Sequence, residues 1–218
     1  KKLFIKPFGA GKGTGVNQFQ YINGKPYIGI KRSSRKEIIN YMRKNDDWMI
    51  SECMQQHSYS SDLYDKTVNT IRLITMRDIE TQKIKIFFAV QRIGTSATIP
   101  VDNGSRGGLV SKIDLETGEL SEARSLHSLE VHEVHPDSGA KIKGAVIPGW
   151  QDIKKEILAL ANKVSFMHFI AWDILVTEEG ICIIEANTSS GVNIIQLWGG
   201  QRNKELGDFY RYHKAIRK

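Results

Sequence analysis

Trp172-Asp173-Ile174-Leu175-Val176-Thr177-Glu178-Glu179-Gly180-Ile181-Cys182-Ile183-Ile184-Glu185-Ala186-Asn187 holds two aliphatic, β-branched runs, 170–176 and 181–186, around an acidic turn that ends in Gly180. Runs of this kind bounded by a glycine turn predict a β-hairpin. The expected connection is a three-residue loop over 178–180, with Gly180 in the left-handed region as a bulge. That loop pairs Thr177 with Ile181, Leu175 with Ile183 and Asp173 with Glu185, and Asn187 falls on the same face. A two-residue turn would change the parity and send the two acids to opposite faces.

The hairpin is otherwise apolar on both faces, so the acids are expected to be at least partly buried. Two unpaired carboxylates there repel each other and lose hydration. A divalent cation is the simplest offset. Two carboxylates and the Asn187 carboxamide are hard oxygen donors that suit Mg²⁺, with Mn²⁺ as the alternative. The other reading places the acids at the hairpin ends, in water or paired with arginine. The hairpin by itself leaves both open.

A chain of 218 residues can bury a substantial core, as one domain or as two lobes. No apolar run is long enough for a membrane-spanning helix. Cys53 and Cys182 sit in apolar runs as small core residues, which fits a reducing, cytoplasmic setting. The chain opens at Lys1, almost inside a strand, so an upstream portion is expected. The net charge of +7 leaves an anionic membrane surface or phosphorylated ligands open as partners. Its basic residues are dispersed, with no arginine-rich tract and no aromatic platform, so nucleic acid is not expected.

Strands over 3–6 and 16–22 flank Lys6 and a glycine-rich loop containing Gly9, Gly11, Gly13, Thr14 and Gly15. No Gly-Lys-Ser/Thr leads into a helix, so this is not a P-loop. Glycine lets backbone N–H groups approach phosphate oxygens, and Lys6 at the strand end could reach them too; a plain mobile hairpin is the alternative. Asn23-Gly24 marks a tight turn into a strand over 25–30. Ser33 and Ser34 cap a helix to about Lys44, with Ile38, Ile39 and Met42 on its inner side. The strand over 48–54 leaves this first lobe. Glu52 and the backbone of Cys53 and Met54 could meet an adenine edge, or Glu52 is simply solvated.

Residues 57–66 read as a polar loop. A long hairpin over 69–77 and 83–92 carries Arg72 and Arg92, and strands 109–114 and 119–125 follow, with Lys112 on the first. Each of these cations is a surface residue unless a phosphate needs it. His127, His132 and His135 have no Cys partner, acid spacing or helical pattern that would make a zinc site. The apolar spacing over 152–167 predicts an amphipathic helix packed on Trp172, Ile174 and Val176. After 194–198 comes a short basic tail.

The motifs in order are the Lys6 strand with its glycine loop, Glu52, Asn69-Thr70-Ile71-Arg72, Gln91-Arg92-Ile93-Gly94, Asn103 before Gly107-Gly108, Asp173, and Glu185-Ala186-Asn187 before Ser189-Ser190-Gly191. In this order and spacing the chain resembles the ATP-grasp superfamily along nearly its whole length. It is similar to the glutamate-ligase branch, and closer still to the sugar-transfer-associated ATP-grasp proteins of polysaccharide gene clusters. The closer cues are Val68-Asn69-Thr70-Ile71-Arg72, Gly107-Gly108 leading to Ile113-Asp114 and Thr117-Gly118, His135-Pro136-Asp137-Ser138-Gly139, Ile147-Pro148-Gly149-Trp150 and Trp172-Asp173-Ile174. Ser189–Gly191 resembles the family's small-residue loop near the acceptor, with Ser190 standing where the family often has Pro.

The resemblance implies an α+β fold of two mostly antiparallel lobes that clamp ATP, a partial N-terminal lobe over 1–54 and a C-terminal lobe over 55–218. It also implies an N-terminal domain and a further lysine upstream of Lys6. The implied activity is an ATP- and Mg²⁺-dependent carboxylate–amine ligase working through an acyl phosphate. The implied substrates are a sugar acid or amino acid of cell-surface polysaccharide assembly and an amine acceptor. Lys6, the 9–15 loop and Lys112 would hold phosphates, and Glu52, Cys53 and Met54 adenine. Asp173, Glu185 and Asn187 would hold Mg²⁺, and Arg92 and Arg72 would steady the transferring phosphoryl group. A phosphotransferase acting on a hydroxyl and a non-catalytic ATP-binding module are the competing readings.

Overall fold

The computed structural model describes residues 2–7 and 15–215. The fold is α+β, with two antiparallel sheets and few helices. It divides into two compact units, Lys1–Gln55 and Gln56–Lys218.

In the first unit, β1 (Lys2–Pro7), β2 (Asn17–Ile22), β3 (Lys25–Ile28), β4 (Lys31–Arg32) and β5 (Trp48–Glu52) form a sheet in the order β4-β3-β2-β1-β5. Asn23 and Gly24 both take positive φ, 50° and 73°, the turn that Asn-Gly favours between antiparallel strands. β3 stops short of the 25–30 expectation because Gly29 turns to φ 59° and donates its N–H to the Gln18 carbonyl at 2.7 Å. Helix α1 (Arg35–Lys44) begins in a capping box: Glu37 N–H donates to Ser34 Oγ (3.2 Å) and Ser34 N–H to Glu37 Oε2 (2.7 Å). Its inner side is not the expected one. Ile38 and Tyr41 are half-buried, whereas Ile39 and Met42 are exposed. Tyr41 takes the contact by meeting Phe19 and Trp48 edge-on and accepting a hydrogen bond from Asn17 Nδ2 at 2.7 Å.

In the second unit, β6 (Ile71–Arg77), β7 (Ile84–Ile93), β8 (Leu109–Ile113), β9 (Leu120–Ser125), β10 (Val131–His132), β11 (Phe169–Thr177) and β12 (Gly180–Asn187) form a sheet in the order β10-β9-β8-β7-β6-β11-β12. Helix α2 (Ser58–Leu63) interrupts the stretch expected as a polar loop. His57 Nδ1 accepts the Tyr59 N–H (3.1 Å) to cap it, and Leu63 enters the core; a single polar turn carries too little apolar period to show in sequence. Helix α3 (Trp150–Lys163) covers one sheet face, with Ile153, Ile157 and Ala161 in the same core as Trp172, Ile174 and Val176. It ends before the expected Met167.

The opposite face is covered over part of its area by α4 (Asn193–Gln196) and α5 (Glu205–Tyr212), through Ile195, Leu206 and Phe209 against Ile74, Met76 and Phe88. The residues after Trp198 therefore do not form a plain tail: α5 buries Leu206 and Phe209. The rest of that face carries the charged residues of the candidate site.

His135 is a structural tie. Its ring stacks on Tyr64 at 4.7 Å between centroids, and Nδ1 accepts the N–H groups of Asp137 and Ser138 at 3.2 Å each. With Nδ1 an acceptor, Nε2 is the donor to the Gly94 carbonyl at 2.8 Å. Both nitrogens are thus engaged by the chain itself.

Candidate active site

β11 is flanked by β6 and β12, and one lateral row crosses all three: Arg72 opposite Asp173, and Asp173 opposite Glu185. Directly paired residues project to the same face of a sheet. The row continues through Val90 on β7 to Lys112 on β8.

The route by which Asp173 meets Glu185 differs from the expected one. The turn is two residues long, Glu178-Glu179, with Thr177 opposite Gly180, Val176 opposite Ile181 and Ile174 opposite Ile183. A regular ladder from there would set Ile184 against Asp173. The register shifts between Asp173 and Ile174, so Ile184 is the extra residue of a bulge and Glu185 arrives opposite Asp173. Thr177 Oγ1 donates to the Gly180 carbonyl across the turn at 3.0 Å, and the Glu178 carboxylate ties the turn to the start of α2 by accepting the Ser58 N–H (2.8 Å) and pairing with His57 Nε2 (3.1 Å).

The two acids have different environments. Asp173 is 7% exposed, while Glu185 is exposed because β12 is an edge strand. The charge on Asp173 is offset by arginine. Arg72 grips it with both Nε and Nη2, the latter 2.8 Å from Oδ2, and Arg92 Nη1 donates to Oδ2 at 3.2 Å. Arg92 Nη2 reaches Asp102 Oδ1 at 2.7 Å, and Arg72 Nη1 reaches Ser190 Oγ at 2.9 Å. The result is a run of alternating charge, Asp102–Arg92–Asp173–Arg72, ending on a hydroxyl. Such charge-assisted pairing makes burial of Asp173 tolerable. Burial opposes the Arg92 charge, but the surrounding carboxylates of Asp102, Asp173 and Glu185 outweigh it and hold its pKa above the ordinary value.

Sequence reasoning does not single out Asp102 as a functional residue. Asp102 opens Asp102-Asn103-Gly104, which reads as turn chemistry, and its partner lies ten residues back on a strand. Ser190 belongs to the loop expected near the acceptor, but its bond to Arg72 is not an expected one.

Among the described residues no group of three or more His, Cys, Asp or Glu side chains is arranged to hold a metal. The donor set here is instead two carboxylates and an amide. Asn187, opposite Ala171, lies two residues along β12 from Glu185. Its Nδ2 is buried with no hydrogen-bond partner, a donor that a phosphate or water oxygen would satisfy. Mg²⁺ commonly takes one or two carboxylates and completes its shell with water and phosphate. Asp173, Glu185 and Asn187 are hard donors of that kind, but both Asp173 oxygens are taken by Arg72 and Arg92, the arginine pairing that the hairpin by itself left open.

The remaining expected residues are placed as follows. Lys112 is exposed, with Nζ 6.0 Å above the Phe88 ring. Lys6 is half-buried on β1 opposite Met49, and Glu52 ends β5 opposite Leu3. The Cys53 N–H is donated to the Lys2 carbonyl at 3.2 Å, and Met54 is exposed. Gly15 takes φ 77°. Gly9, Gly11, Gly13 and Thr14 lie outside the described residues.

Residues 3–206 match the model of the sugar-transfer associated ATP-grasp family. The chain belongs to this ATP-grasp family. No curated protein matches it. Solved structures similar to this ATP-grasp chain include the ATP-grasp ligase PsnB. With a phosphomimetic variant of its minimal precursor, Mg and ADP, PsnB is 10% identical over 87% of this chain and 38% of its own, at a TM-score of 0.41. With the minimal precursor, it is 12% identical over 90% of this chain and 42% of its own, at a TM-score of 0.39. The chain thus spans about two-fifths of the PsnB chains it matches.

Proposed function

We propose that this chain carries the nucleotide site of an ATP- and Mg²⁺-dependent carboxylate–amine ligase. The observation that supports it most is the row Arg72–Asp173–Glu185 with Arg92 beside it, which brings carboxylate oxygens and guanidinium groups to one sheet face. Family membership supplies the nucleotide: Lys6, the 9–15 loop and Lys112 are the proposed phosphate contacts, and Glu52 with the 53–54 backbone the proposed adenine contact.

Asp173, Glu185 and Asn187 would hold one or two Mg²⁺, with Mn²⁺ as a substitute. Bound there, the metal would neutralise the β- and γ-phosphate charge. Arg92 and Arg72 stabilise charge on the transferring phosphoryl group. A substrate carboxylate oxygen attacks the γ-phosphorus, the bond to the bridging oxygen breaks, and ADP leaves. The amine nitrogen then attacks the acyl carbon, loses a proton, and expels phosphate. Positioning and charge neutralisation are the protein's part in both steps.

The proposed carboxylate is a sugar acid or amino acid of cell-surface polysaccharide assembly, a reading for which the family description offers only an association with sugar transfer. The need for ATP and the two unpaired cysteines support a cytoplasmic setting, and no helix among the described residues is long and apolar enough to cross a membrane.

The test is ADP release from Mg–ATP with candidate carboxylates and amines supplied singly and together. The ligase reading expects release to depend on both. Release driven by an alcohol alone would sink it in favour of a phosphotransferase.

A further inference from the structure

We infer that Asp102 is a positioning residue that aims Arg92 at the phosphoryl group, an inference that rests on the ligase reading above. Asp102 lies in the loop between β7 and β8 and is 4% exposed. Both of its oxygens are committed. Oδ2 accepts the backbone N–H of Thr70 (2.6 Å) and the Thr70 hydroxyl (2.5 Å), and Oδ1 accepts Arg92 Nη2 (2.7 Å). Arg92 closes the ring through its main chain, donating its N–H to the Thr70 carbonyl at 2.8 Å. Thr70, Asp102 and Arg92 therefore fix one another through four hydrogen bonds.

The Arg92 guanidinium is held at two nitrogens by two different carboxylates, Asp102 and Asp173. Asp173 is also a proposed metal ligand and is gripped by Arg72. Its hold on Arg92 is therefore shared among several charges. Asp102 has no such competing duty, because its partners are a backbone amide, a hydroxyl and Arg92. A planar guanidinium fixed along one edge keeps its remaining donors in a set direction. The Nη1–Nη2 edge of Arg92 is held by Asp173 and Asp102, Asp102 supplies the end of it that is not shared, and Thr70 keeps Asp102 from rotating with its partner. The backbone of the same loop is closely packed: a Cβ on Gly108 would stand 2.8 Å from the Asp102 carbonyl oxygen.

The test is calorimetric binding of Mg²⁺ with a non-hydrolysable ATP analogue, and separately with ADP, to the full chain and to Asp102→Asn, Arg92→Ala, the double variant and Thr70→Val. Asparagine retains an acceptor for Thr70 but presents an amide where Arg92 needs a carboxylate. The expected result is about a tenfold or greater loss of analogue affinity in Asp102→Asn, the scale of one charge-assisted hydrogen bond, with ADP affinity unchanged. Arg92→Ala should match it, and the double variant should be no worse than Arg92→Ala alone. A purely structural Asp102 would lower ADP and analogue affinity together or add to the Arg92 loss, and either result overturns the inference. Unchanged analogue affinity in Asp102→Asn overturns it as well. Should Asp102→Asn fail to fold, Thr70→Val decides. It removes one of the two Thr70 donors and is expected to weaken the analogue about threefold while leaving ADP alone; unchanged analogue binding there overturns the inference. A wild-type chain that binds neither nucleotide with Mg²⁺ takes down the ATP reading itself, an outcome distinct from wild-type binding that is indifferent to Asp102.

Discussion

Asp173 stands opposite Glu185 because Ile184 is one residue too many for a regular ladder between β11 and β12. The parity of the two acids is set at the bulge, four residues from the turn, and not by the turn. A glycine inserted between Glu178 and Glu179 should therefore lengthen the loop without flipping Glu185 to the other face. Cross-strand NMR contacts between Asp173 and Glu185 are expected to persist in that variant. Their replacement by contacts between Asp173 and Ile184 would show that the turn governs the register after all.

The two acids share a face but not an environment, so stability and binding should separate. Asp173→Ala leaves Arg72 and Arg92 facing each other with little water, and breaking a buried pair in this way costs about 3–5 kcal/mol. Glu185→Gln changes an exposed edge residue and should shift stability by no more than about 0.5 kcal/mol. Urea unfolding measures both. Glu185→Gln should instead reduce the dependence of nucleotide binding on Mg²⁺, read by titrating the metal at fixed nucleotide.

Alternation around Arg72 and the aliphatic runs on either side of Gly180 were enough to locate β6, β7, β11 and β12, and helical spacing enough to locate α3, although β12 itself buries none of its residues. The opposition of Asp173 and Glu185 was also legible, but for an incorrect geometric reason. Residue types do not distinguish a two-residue turn plus a bulge from a three-residue turn, since both restore the same parity. Pairing of Asp173 with arginine was one of the two open readings, but which arginines was not legible. Arg72 and Arg92 lie 101 and 81 residues away in sequence, and only the strand order β7-β6-β11 brings them beside it. Asp102 was hidden because an Asp before Asn-Gly is common in turns, where no strand pattern identifies its partner.

Gly108 should resist substitution for a reason tied to the site. It follows Gly107, which takes φ 103°, and an added Cβ would meet the Asp102 carbonyl oxygen at 2.8 Å and the Asn103 backbone at 3.0 Å. Those atoms are backbone and cannot swing away. Gly108→Ala is expected to cost about 1–3 kcal/mol in urea unfolding and to disturb Asp102 with it. Gly139→Ala is the comparison: nothing lies near its Cβ, though its φ of 74° brings backbone strain of its own. Only the Gly108 variant should also weaken binding of the Mg²⁺–ATP analogue.

Asp137 ties the turn at 135–139 to the start of the loop that carries Asp102. Its carboxylate accepts the Ser96 N–H at 2.7 Å and the Ser96 hydroxyl at 3.0 Å. The Ser96 N–H, foremost, and then its hydroxyl lower the Asp137 pKa against the opposing effect of burial. A carboxylate with a depressed pKa in the folded chain contributes stability that is fully present above its unfolded pKa, about 3.9 for Asp. That contribution is lost as pH falls through the lower folded value. Asp137→Asn should therefore be less stable than wild type at about pH 6, and the gap should narrow as pH drops below about 4. Urea midpoints of both proteins across this range test the sign. A gap that stays constant down to about pH 2.5 would mean that the carboxylate charge on Asp137 contributes nothing to holding the loop.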